Sequence, residues 1–150
     1  MTRLLLILPA LALTACGTST SSAGGAGQPD SPHAPSPKVL AVVSMTGANG
    51  QVSVKPQALT PASNLARFTK DFRGEALGNQ IRSVLQKQPP PTGMYAAGAV
   101  IAVGCDVPPG ADVVETGSGY EVVAKEVASP KPECLAPVTS VAVVALPESS

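Results

Sequence analysis

Hydrophobic positions along the chain change period several times, and most of the elements can be laid out from those changes. Leu4 to Leu13 is an almost unbroken apolar run, and the stretch from Gly17 to Pro37 then carries no large apolar side chain. After Lys38 the pattern becomes strand-like. Val39-Leu40-Ala41-Val42-Val43 is rich in β-branched residues, Gly47-Ala48-Asn49-Gly50 is a turn signal, and Gln51-Val52-Ser53-Val54-Lys55 alternates as a half-buried strand does. This predicts a β-hairpin. Thr60-Pro61 supplies an N-cap followed by proline at the first helical position, with Leu65, Phe68 and Phe72 following at helical spacing. Gly74 breaks or kinks that helix. A second helix is expected over Glu75 to Lys87, because Leu77, Ile81, Val84 and Leu85 form one apolar stripe. Pro89-Pro90-Pro91 ends it.

From Ala96 the chain reads as strand again, through Val100-Ile101-Ala102-Val103-Gly104 and then Asp112 to Glu115. A Gly117-Ser118-Gly119 turn, Tyr120 to Val127, and Val138 to Leu146 follow. The expected order is β-β-α-α-β-β-β-β, an α+β fold with a small antiparallel or mixed sheet and one or two helices packed on one face. Met94-Tyr95, after the prolines, is either an exposed apolar contact or the first turn of a strand entering the core. There is no internal repeat.

The first apolar run is about ten residues long and contains Pro9, whereas a helix spanning a membrane needs roughly twenty apolar residues. With Arg3 before it and small residues after it, it reads as the h-region of a signal peptide over residues 1–15. The Gly/Ser/Thr/Ala/Pro composition up to residue 37 has nothing to bury and no reason to fold. It is expected to be a disordered tether, reaching between about 25 Å as a coil and 65 Å if extended. Residues 38–147 are left as a single α+β domain.

Leu13-Thr14-Ala15-Cys16 closes the leader, and this motif resembles the bacterial lipoprotein signal, in which a large apolar residue and two small ones precede the cysteine. The resemblance implies diacylglyceryl transfer to the Cys16 thiol, cleavage between Ala15 and Cys16, and palmitate-type acylation of the freed amine. Lipid attachment would hold the domain at the extracytoplasmic face of the cell membrane. The alternative is an ordinary secretory signal cut near Ala10 to Ala12, which leaves Cys16 as a stray thiol. Cysteine parity favours lipidation, since three cysteines are odd and modifying one leaves an even pair.

That pair is Cys105 and Cys134. In an oxidising compartment beyond the membrane it is expected to form a disulfide stapling the small domain. A metal or redox pair is the competing reading, but the spacing is not C-x-x-C and no histidine stands near either residue.

Charge and chemistry narrow the function classes further. Ten basic residues balance ten acidic ones, which gives no electrostatic footprint for nucleic acid. His33 is the only histidine and lies in the tether, so no Ser-His-Asp triad, Cys-His pair or histidine-containing zinc site can be built on the domain. Asp106, Asp112, Glu115, Glu121 and Glu126 are the carboxylates available for acid-base work. They alternate with valines on strands, which places them on a solvated face. Arg67, Lys70, Arg73, Arg82 and Lys87, interleaved with Asp71 and Glu75, read as a solvated helix face. No cofactor or metal motif occurs, and Gly117-Ser118-Gly119 lacks the following helix that a phosphate cradle needs.

Two resemblances concern the mature domain. Val100 to Pro108 (VIAVGCDVP) with Glu133 to Val138 (ECLAPV) resembles uncharacterised small lipoproteins of high-GC Gram-positive bacteria, and brings no activity with it. Gly119-Tyr120-Glu121-Val122 and Pro137 to Val144 are similar to the opening and closing strands of the protease-stability-complex-like envelope domain. In this chain, however, Ser118 replaces the first glycine of that family's pair and the two cysteines are extra. The expectation is a membrane-anchored, non-enzymatic binding module of the cell envelope that meets a protein or a small ligand. A structural envelope component is the alternative, followed by a carboxylate-dependent hydrolase. A polar pocket joining Asp106 to another carboxylate would favour the hydrolase, and an exposed apolar patch would favour binding.

Overall fold

The computed structural model describes residues 35–148; the leader, Cys16 and His33 lie outside the described residues. Among the described residues the order is β1 (Lys38–Thr46), β2 (Gln57–Ala58), α1 (Ala62–Thr69), α2 (Ala76–Lys87), β3 (Met94–Gly104), β4 (Ala111–Thr116), β5 (Gly119–Ala124) and β6 (Val138–Pro147). The fold is α+β. A four-stranded sheet runs β1-β6-β3-β2, antiparallel at every pairing, and β4 with β5 forms a separate two-stranded hairpin.

Strand β6 sits at the centre because its sequence suits no other place. Thr139 to Leu146 are buried without interruption, so both faces of the strand are covered. On one face Val141 and Val143 pack with Ala96 and Val100 of β3 against Leu65 and Phe68 of α1 and Leu77 and Ile81 of α2. On the other, Ala142, Val144 and Leu146 pack with Ala97, Ala99 and Ile101 against Ala111 and Val122 of the hairpin. The result is three layers: helices, sheet, hairpin. Val141, Val143, Val144 and Leu146 are each fully inaccessible, and burial of such a side chain contributes roughly 1.5–3 kcal/mol.

Two bulges keep the side chains in phase with these layers. The pairing of β1 with β6 shifts between Val39 and Ala41, and that of β3 with β6 between Val100 and Ala102. Each inserts one residue, Leu40 in β1 and Ile101 in β3. Leu40 joins the helix-side cluster and Ile101 the hairpin-side cluster. Without them, every residue on the far side of the shift would point into the wrong layer.

The expected first hairpin does not form. β1 pairs with β6, and residues 51–55 are not a strand. A neighbour of β1 must be apolar on both faces, which β6 is and Gln51-Val52-Ser53-Val54-Lys55 is not. The alternation is also inverted there: Val52 and Val54 are 55% and 39% exposed while Ser53 is half-buried. The turn signal is still used. Gly47, Asn49 and Gly50 have φ of 69°, 59° and 115°, and they redirect the chain to the opposite edge of the sheet, where β2 pairs with β3. The order of elements along the chain therefore holds, with the second strand moved to Gln57–Ala58.

At α1 the cap also differs from expectation. Pro61 is the N-cap residue and no side chain caps it; Thr60 instead accepts, through its carbonyl, a 2.8 Å hydrogen bond from Asn64 Nδ2. The helix ends at Thr69, short of Phe72, and Gly74, at φ 70°, lies in the turn between the two helices. Phe68 and Phe72, the only phenylalanines, meet edge to face at 5.6 Å between centroids. Met94 and Tyr95 open β3, the first buried and the second half-buried.

Cys105 and Cys134 are disulfide-bonded with their Cα atoms 5.3 Å apart. The bridge ties the end of β3 to the loop between β5 and β6. That loop has little else to hold it, since residues 128–135 are all exposed. Asp106 adds one fastening, accepting a 2.7 Å hydrogen bond from the Lys131 N–H and lying 3.9 Å from Lys131 Nζ.

A Cβ on Gly98 would stand 3.1 Å from Phe68 Cζ and 3.2 Å from both Leu59 methyl carbons. Gly98→Val should therefore lower stability by about 1–3 kcal/mol in urea denaturation. Gly104→Ala, where a Cβ meets nothing within 4 Å, should not lower it. Closing a loop over a sequence separation of 29 contributes roughly 3.5 kcal/mol by chain entropy. Cys105→Ser with Cys134→Ser should lower the urea midpoint while leaving the far-ultraviolet circular dichroism of the fold intact, because neither cysteine belongs to a core cluster.

Candidate functional site

The ends of the four-stranded sheet differ in chemistry. Thr46 and Gly104 both pair with Val138, which puts the disulfide at one end. Lys38 pairs with Ala145 and Tyr95 with Leu146, so the start of β1, where the chain arrives from residue 37, lies at the other. About ten residues of strand, at roughly 3.3 Å each, separate them.

A cleft of about 340 Å³ opens at the Tyr95 end. Leu146 and Tyr95 of the sheet form its base, Lys55 and Pro56 line one wall, and Ser118, Tyr120 and Glu121 of the hairpin line the other. Backbone hydrogen bonds position the walls. The Ser53 N–H donates to Val100 O at 2.9 Å and the Leu59 N–H to Ala96 O at 2.9 Å, which lays residues 53–59 along the edge of β3. Between them, Val54 O accepts from the Val122 N–H at 2.8 Å. Lys55 is thereby held beside β5. Segment 51–55 is thus a bridge between two sheets, with single bonds to each in place of a strand ladder.

Four polar side chains of the cleft have no partner among the described residues. Neither Lys55 nor Glu121 has an ion-pair partner within 4 Å among the described residues; the pairs present are Lys125 with Asp112 at 3.3 Å and Lys131 with Asp106. Both phenol groups, of Tyr95 and Tyr120, are likewise without a hydrogen bond to another described side chain or backbone group. These are the only tyrosines in a chain with no tryptophan, and both phenylalanines are in the core. Both half-exposed aromatic rings among the described residues are therefore in this cleft.

Three of the five carboxylates are solvated as the sequence suggests: Asp112, Glu115 and Glu126 are exposed, while Asp106 and Glu121 are not fully so. Asp106 and Glu126 lie beyond strand ends, and Asp106, with an 18% accessible side chain, is engaged by Lys131. Glu121 is half-buried at the cleft. Asp106 does not line that cleft. The basic residues of the helices are exposed, and Arg82 donates to Asn79 Oδ1 one turn away.

A second depression, of about 430 Å³, lies between α1 and residues 50–57, with Phe68 and Phe72 beneath Gln51 and Asp71. It collects a single charged group. Among the described residues no three His, Cys, Asp or Glu side chains converge on a metal position, and no helix is long and apolar enough to cross a membrane.

Sequence reading reached Tyr95 and Glu121 singly and missed their meeting. A usable signal was present: both tyrosines stand at strand starts, two residues after Gly93 and one after Gly119. What brings them together is the stacking of the hairpin on the sheet, which no local pattern encodes. No protein-family model, no curated protein and no solved structure matches the chain, so the cleft is defined by its own residues alone.

Proposed function

We propose that the protein is a lipid-anchored binding module on the extracytoplasmic face of the cell membrane, attached through Cys16 and binding its ligand with the tethered domain. The observation that carries this reading is the Cys105–Cys134 disulfide. A structural disulfide fits a compartment outside the reducing cytosol. It also uses two of the three cysteines and leaves Cys16, behind Leu13-Thr14-Ala15, as the odd thiol. Each buried acyl methylene stabilises anchoring by roughly 0.8 kcal/mol, so the two or three chains of a processed lipoprotein hold where one would be marginal.

A binding role, in place of catalysis, is supported by the residues of the domain. Its sequence from residue 38 onward contains no histidine, and Asp106 is engaged by Lys131. The half-buried tyrosines and unpaired charges of the cleft suit recognition of a small polar ligand.

Expression of the full chain in a bacterium that processes lipoproteins tests the anchor. The expected product partitions into the membrane fraction, requires detergent for release, and yields an acylated peptide beginning at Cys16 by mass spectrometry. Cys16→Ser should abolish the acylated peptide. Recovery of an unmodified soluble chain beginning at another residue would overturn the reading.

A further inference from the structure

We propose that the cleft between Lys55-Pro56 and Ser118–Glu121 binds a small zwitterion, an amino acid or dipeptide, with its carboxylate at Lys55 and its ammonium at Glu121. Its uncharged portion lies against the Tyr95 and Tyr120 rings. This rests on the reading of the domain as a binding module and names the ligand class of that site.

Charge is the first argument. One cation and one anion line a single cleft, and neither is neutralised by another described residue. A ligand with a single charge would satisfy one of the two groups and leave the other unpaired. A zwitterion satisfies both, each through a charge-assisted hydrogen bond.

Size and surface make the second argument. A cleft of about 340 Å³ is near the lower limit of small-molecule sites, which run from roughly 300 to 1,000 Å³. An amino acid or dipeptide fills such a space; a folded partner does not enter it. Tyr95 and Tyr120 each combine a flat apolar ring with a phenol group that can donate to or accept from a peptide group. Ser118 adds a hydroxyl at the rim.

The wall carrying Lys55 is also held in place before any ligand arrives. The bonds from Val122 to Val54 and from Ser53 to Val100 fix the backbone just before the lysine, and the bond from Leu59 to Ala96 fixes it four residues after. Binding therefore costs little backbone ordering on that wall.

The experiment uses tyrosine fluorescence of the full chain. With two tyrosines, both in the cleft, and no tryptophan, emission reports the site alone, and it does so whether or not Cys16 carries lipid. Failure of the anchor and failure of the ligand assignment are thus distinguishable. The probes are alanyl-alanine, its N-acetylated form, its C-amidated form, and N-acetylglucosamine as a neutral control. A saturable change in emission is expected with alanyl-alanine, and capping either end should weaken binding by about tenfold or more. In Glu121→Gln the penalty for N-acetylation should vanish while that for amidation persists; in Lys55→Met the reverse should hold. A general disturbance of the fold would not produce this crossed pattern. Equal response to capped and uncapped dipeptide, a response to the sugar alone, or no saturable response to alanyl-alanine below about 10 mM would each overturn the proposal.

Discussion

Strand β6 is buried on both faces from Thr139 to Leu146, and the rest of the architecture answers that constraint. A strand with valine, alanine and leucine on both sides loses stability wherever either side meets water. The chain therefore needs two separate covers, and it builds them from different material. Helices α1 and α2 shield Val141 and Val143, while the β4–β5 hairpin shields Ala142, Val144 and Leu146. The neighbours of β6 must share its character, which is why β1 and β3 flank it and the polar segment 51–55 is pushed to the margin.

Even the polar residues of β6 follow from this arrangement. Ser140, completely buried, bonds Ser44 of the paired β1 residue through their hydroxyls at 2.9 Å. Thr139, on the opposite face, donates to the Asn49 carbonyl at 2.6 Å and so ties the left-handed turn after β1 to the central strand. No buried side-chain polar atom among the described residues lacks a partner. The expense of burying hydroxyl groups is met locally, by groups the same strand pairing supplies.

Layering also creates the cleft. A hairpin stacked on a wider sheet leaves a margin where the two do not overlap, and the half-irregular segment 53–56 spans that margin with one backbone bond to each sheet. Tyr95 from the sheet and Tyr120 from the hairpin meet across it. At the opposite end, the disulfide and Asp106 restrain a loop whose Leu135 is fully exposed, so covalent and polar fastenings replace the core contacts that loop lacks.

Local sequence determined a good deal of this. The apolar stripe of α2, the breaks at Gly74 and the triple proline, the β4–β5 turn and the pairing of the two domain cysteines were all legible, because each depends on residues close in sequence or on counting. The α+β class and the order of helices and strands along the chain were legible for the same reason. Tertiary structure alone decided which strand β1 would join, that Val52 and Val54 would face outward, that Leu40 and Ile101 would be bulged, and that Lys55, Tyr95, Tyr120 and Glu121 would share one cleft. Those outcomes rest on contacts between residues tens of positions apart, where burying both faces of β6 outweighs the weaker preference of any five-residue pattern for its own nearest partner.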